Sequence, residues 1–149
     1  MRAEGAKEFE STVEWPTLAL IGMTYFSLGV LTWFGNQLQW WVLVPAGGYL
    51  TCLYGSLQHE ALHGHPTRHS RINEALVFIP FQVWFPYRRY KKLHLQHHRD
   101  DLLTDPHADP ETYYMDAADW RDASLPLRFL LKTNNTLLGR LLIGPFIAV

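Results

Sequence analysis

Apolar and polar positions are sharply segregated along this chain. Residues 15–58 contain no Asp, Glu, Lys, Arg or His, so all 14 acidic and 13 basic residues lie outside that window. Crossing a hydrocarbon layer of ~30 Å takes about 20 apolar residues as a helix. Residues 17–34 (TLALIGMTYFSLGVLTWF) meet that need once, and residues 40–57 (WWVLVPAGGYLTCLYGSL) meet it again. Gly35, Asn36 and Gln37 form a short polar turn between them. The pattern therefore predicts a transmembrane helical hairpin. Trp15, Trp33, Trp40 and Trp41 stand at the span ends, where an indole keeps its ring apolar and its N–H wet. Pro45, Gly47 and Gly48 weaken the second helix locally.

Residues 58–136 are polar, and they hold 10 of the 13 Lys and Arg. The hairpin turn holds none, so the positive-inside rule places residues 58–136 and the N-terminus on the cytoplasmic side. Within this region residues 72–87 (INEALVFIPFQVWFPY) are apolar, yet Pro80 and Pro86 interrupt them. They are too short and too broken to span, and they read as an interfacial or re-entrant segment. Arg88, Arg89, Lys91 and Lys92 follow, a cluster suited to lipid headgroups. Residues 137–149 (LLGRLLIGPFIAV) begin a third apolar segment that is too short to cross a bilayer. The expected fold class is thus all-α and integral to the membrane, a single domain at most. It comprises a hairpin, a cytoplasmic or interfacial region, and the start of a truncated third span.

Composition changes this picture little. The formal net charge of -1 gives no sign of nucleic-acid binding. The one cysteine, Cys52, excludes an internal disulfide and sits in an apolar run, as a small buried thiol would. Glu4, Glu8, Glu10 and Glu14 outweigh Arg2 and Lys7 at the N-terminus, the opposite of a cleaved signal.

The chemistry lies in the histidines. All eight follow residue 58, and most fall in two clusters just beyond apolar segments: His59-Glu60-Ala61-Leu62-His63-Gly64-His65, and His94-Leu95-Gln96-His97-His98. On a helix, residues three and four apart share a face. His59 and His63 form one such set, and His94, His97 and His98 form another. Neutral imidazole is a ligand for iron, zinc, copper and nickel, and five such nitrogens exceed the needs of one ion. His69 and His107 read as solvated side chains, while His65 follows Gly64, precedes Pro66 and stays open. Glu60, Asp100, Asp101 and Asp105 lie near the clusters in sequence and are candidates to accept a ligand's ring N–H. Glu60, Asp101 and His65 are also candidates for an additional ligand. A rival reading takes His59-Glu60-x-x-His63 as a zinc-protease helix with Glu60 as general base. His69 falls at the metzincin third-ligand position, but Pro66 stands where that pattern wants glycine, and the second cluster is left unused. A third reading is a non-catalytic membrane anchor or metal-storage protein.

HEALHGH (59–65) followed by HLQHH (94–98) resembles the first two histidine boxes of membrane fatty acid desaturases. DLLTDPHADPETYY (101–114) is similar to a bacterial branch that includes relatives such as carotenoid ketolases. The resemblance runs from Trp15 to the end. It implies a non-haem di-iron centre with His59, His63, His94, His97 and His98 as iron ligands. It implies O2 activation, hydrogen abstraction from an unactivated C–H bond of a lipid acyl chain, and electrons from a ferredoxin- or cytochrome-type partner. Desaturation and hydroxylation share that first step, so a related hydroxylase or ketolase stays open. Phe78, Phe81, Trp84, Phe85 and Tyr87 are candidates to line the acyl path. The family's third histidine box has no counterpart after His107. The expectation is therefore an N-terminal portion, inactive alone, with a further box beyond Val149.

Overall fold

The computed structural model describes residues 13–81, 86–99, 101–112 and 114–147. Trp84, Phe85 and Asp100, named above, lie outside the described residues. Every regular element among the described residues is helical. The chain divides into two compact units, Met1–Gln82 and Val83–Val149.

In the first unit, α1 (Trp15–Trp33) and α2 (Trp40–Leu62) are joined through a 3-10 turn at Gly35–Gln37. Pro16 sits in the first turn of α1, where its missing N–H has no partner to lose. The two helices pack antiparallel. Tyr25 meets Tyr54 through their hydroxyls, Leu31 lies beside Gly47, and Leu43 lies beside Gly35. Hydroxyls within the uncharged stretch are satisfied locally: Thr24, Thr32, Thr51 and Ser56 each donate to the carbonyl four residues back. Only α1, among the described residues, is long and apolar enough to cross a membrane. α2 is longer, but tyrosines, glycines and Pro45 dilute its apolar part, and it continues through Gln58, His59 and Glu60. The outer faces of both helices are apolar and exposed, with Phe26 at 74% and Trp33 at 78%.

Helix α3 (Ser70–Leu76) packs on α2. It is anchored by Asn73, which is fully buried and uses its whole amide on one neighbour: Nδ2 donates to the Thr67 carbonyl, and Oδ1 accepts from the Thr67 amide and hydroxyl. The chain then leaves the helix, and its carbonyls need new donors. Side chains of α1 and α2 supply them. Tyr25 donates to Leu76 O at 2.8 Å, Gln58 to Val77 O at 3.0 Å and Tyr54 to Ile79 O at 2.7 Å. Phe81 completes an aromatic cluster with Tyr25 and Tyr54. The segment expected to be interfacial is thus a short helix followed by a clamped turn, as far as residue 81.

In the second unit, α4 (Tyr87–His97) is followed by an irregular loop, then α5 (Ala117–Asp122) and α6 (Leu125–Asn134). Asp116 and Ser124 cap α5 and α6 through their side chains. Two further short helices close the unit, α7 (Leu137–Leu142) and α8 (Gly144–Ile147). Residues 137–147 therefore form no continuous helix: the run breaks at Ile143, just before Gly144 and Pro145, and proline has no N–H for an i→i−4 bond.

Candidate functional site

The first histidine set rides on the end of α2. His59 lies in its last turn and His63 is its C-cap. Their rings are 4.6 Å apart, and each offers a nitrogen within 4.8 Å of the other's. Glu60 Oε1 stands 3.6 Å from His59 Nδ1, too long for a hydrogen bond, and both side chains are exposed. Gly64 ends the helix with φ +102°, a left-handed conformation that suits glycine. The chain then turns so that His65 faces the start of α1. His65 Nδ1 and Glu14 Oε1 are 2.6 Å apart, Thr17 donates to the other Glu14 oxygen, and the Glu14 amide donates to Pro66 O. His65 is thus tied to a carboxylate 51 residues earlier. His69 is exposed and serves as the N-cap residue of α3.

The second set rides on α4. Tyr87, Tyr90, His94 and His97 recur at helical spacing on one face, and Tyr87 and His94 are buried there. His98 is the C-cap, and its Nε2 stands 3.0 Å from His94 Nε2. Two of the three rings are backed by carboxylates. His94 Nδ1 lies 2.9 Å from Glu111 Oε1, and His97 Nδ1 lies 2.8 Å from Asp109 Oδ1. Asp101 is exposed and holds no histidine among the described residues. Asp105 caps the loop instead, accepting the amides of His107 and Ala108, and His107 itself is exposed.

The loop is built to present Asp109. Its Oδ1 also accepts the Glu111 amide, and its Oδ2 accepts the Thr104 amide at 2.8 Å. Thr104 has φ +69°, uncommon for a β-branched residue. Burial pushes the Asp109 carboxyl up, but the His97 bond, the two backbone amides and the His97 charge outweigh it and hold it at about 2. For Asp105 the two backbone amides dominate and hold the carboxyl below its ordinary range. Burial, and then the Glu111 charge, push the Tyr90 phenol up.

The donor chemistry of this set fits a divalent ion. Neutral imidazole nitrogens are ligands for such ions, and His94 Nε2 and His98 Nε2 converge to 3.0 Å. Beside the second set opens a cavity of about 820 Å³, lined in part by Arg89, Leu93, Glu111, Trp120 and Arg140. Glu111 thus borders the cavity and holds His94.

Glu14, Asp109 and Glu111 are not singled out by their sequence positions. The one available signal was the pair of Asp-Pro turns at 105–106 and 109–110, which fold the loop back on itself.

Among the described residues, all regular structure is helical and carries imidazoles in phased sets, two of them, His94 and His97, backed by carboxylates at Nδ1, a donor group that could hold a metal ion. The sequence model of the fatty acid desaturase family matches residues 38–149, well over half of the chain, and the chain belongs to that family. No curated protein and no solved structure shows a match.

Proposed function

We propose that this chain serves an O2-dependent, desaturase-type oxidoreductase acting on a lipid acyl chain, with His59, His63, His94, His97 and His98 as ligands of two irons. The observation that carries the reading is the coincidence of family membership with two helix-borne histidine sets. Bound iron would supply the O2 activation needed to attack an unactivated C–H bond. The residues of the chain do the rest. Imidazoles hold the metal without adding negative charge near a bilayer. Carboxylates at 109 and 111 orient His97 and His94. The cavity beside Glu111 is of a size that small molecules occupy, and Arg89 and Arg140 offer cationic donors to a polar lipid end.

The exposed apolar faces of α1 and α2 support a membrane location. Trp, Tyr and Gly lower the apolarity of α2 without adding charge, which suits a second span with interfacial ends. We place the histidines on the cytoplasmic side from the Lys and Arg of residues 58–136, with a ferredoxin- or cytochrome-type electron donor approaching there. A zinc protease is disfavoured by family membership and by the second histidine set. The test is metal analysis of the purified chain after anaerobic loading with Fe(II) or Zn(II). Iron bound in preference to zinc, and lost in His94→Ala and in His97→Ala, is the expected result. One zinc per chain, retained in both variants and lost in His59→Ala, would overturn it.

A further inference from the structure

We infer that Glu111 and Asp109 are positioning residues: each fixes its histidine, His94 or His97, as the Nδ1–H tautomer and so turns Nε2 toward metal. The inference rests on the reading of these histidines as iron ligands. Its physical basis is simple. An ionised carboxylate only accepts hydrogen bonds, so the nitrogen facing it must carry the proton. Both contacts are made by Nδ1, at 2.9 Å for His94 and 2.8 Å for His97. In a neutral ring the lone pair then belongs to Nε2. His94 Nε2 is the atom that meets His98 Nε2 at 3.0 Å, so its lone pair lies on the side where ring nitrogens converge.

The two carboxylates are fixed with different rigour. Asp109 is almost fully buried and receives three donors: His97 Nδ1–H and the amides of Glu111 and Thr104. An asparagine cannot replace it. With its oxygen toward His97, its NH2 would face the Thr104 amide; flipped, its NH2 would face His97 and force the opposite tautomer. Glu111 is less constrained, since its side chain holds His94 alone among the hydrogen bonds described. A glutamine there can still accept from Nδ1–H through its oxygen. The two sites therefore predict opposite responses to the same acid-to-amide change.

The test uses the full chain in detergent micelles with ¹⁵N-labelled histidine. Metal-free NMR reads the tautomer of each ring, and anaerobic Fe(II) titration reads affinity. His94 and His97 are expected as Nδ1–H tautomers in the wild type. Glu111→Gln is expected to keep the His94 tautomer, whereas Glu111→Ala loses it and weakens Fe(II) binding roughly 10- to 100-fold. Asp109→Asn is expected to lose the His97 tautomer with a similar loss of affinity. Glu111→Ala guards against a loop that fails to fold without Asp109. Wild-type rings protonated on Nε2 would overturn the inference, as would a Glu111→Ala variant that binds Fe(II) as tightly as the wild type. A wild-type chain with both tautomers as stated, yet with no affinity for Fe(II), would instead overturn the iron reading of the site.

Discussion

Replacing Gln58 with leucine isolates one buried hydrogen bond at the root of the first histidine set. Gln58 is 1% exposed, and its Nε2 donates to the carbonyl of Val77, itself fully buried, at 3.0 Å. Leucine is similar in size and cannot donate. A buried carbonyl left without its partner costs about 1–3 kcal/mol. The variant also no longer has to desolvate an amide, which keeps the net loss in the lower part of that range, about 1–2 kcal/mol. For a domain of this length each kcal/mol moves Tm by about 2–4 °C, so a fall of ~2–8 °C is expected. Circular dichroism melts of the purified chain in one fixed detergent measure it.

Gln58→Glu adds a sign to that test. A carboxylate cannot donate to Val77 O, and burial there would raise the introduced carboxyl above its unfolded value of ~4.3. The protonated acid can donate. Stability should therefore be highest below the unfolded value and fall as pH rises through the folded one, the reverse of a salt-bridged carboxylate. The reasoning fails if Gln58→Leu melts at or above the wild-type temperature. It fails equally if Gln58→Glu shows no loss of stability with rising pH.

Four other changes probe the rest of the molecule. A Cβ on Gly139 would collide with the backbone carbonyl of Thr133, which has no rotamer to escape through, so Gly139→Ala should cost about 1–3 kcal/mol in a urea titration. Gly64→Ala should cost about 1–2 kcal/mol through its left-handed backbone alone, with no steric neighbour within 4 Å to add to it. Thr104→Gly should relieve a similar backbone cost, offset by the ~0.5–1 kcal/mol that glycine loses in chain entropy; a change in stability from zero to a small gain is expected, and a clear loss would show that the Thr104 side chain matters. Because backbone amides hold the Asp105 carboxyl below its ordinary ~3.9, its support of the loop is complete above that pH and is lost as pH falls through the lower folded value. Amide exchange at His107 and Ala108 should accelerate across that window, and Asp105→Ala should abolish the dependence.

Much of the helical layout was legible in the sequence because one physical signal governs it. A stretch without charge, cut by Gly-Asn-Gln, becomes two helices with a turn. The phasing of both histidine sets was equally legible, since i, i+3 and i+4 are properties of the helix alone. What escaped depended on contacts across loops. Closeness along the chain makes Glu60, Asp101 and Asp105 candidate histidine partners. The carboxylates that reach the rings are Asp109, Glu111 and Glu14, displaced by 12, 17 and 51 residues from their histidines. Proximity in sequence sets the entropy of closing a loop; which carboxylate arrives is decided by the turn, and here the turn is written in the amide bonds of Asp105 and Asp109.

The same distinction explains His65. As a third histidine of its cluster it is open as a ligand from the sequence alone, because it follows Gly64 and precedes Pro66. Helix α2 has ended by Gly64, so no face is shared with His59 and His63. The ring then meets the Glu14 carboxylate at the head of α1. A histidine box is thus more than a string of imidazoles. Residues carried on the helix share a face by geometry, whereas one residue past its end is free to secure the helix against its neighbour. His59 and His63 keep the ligand role in the proposal, and His65 takes the role of holding the end of α2 to the start of α1.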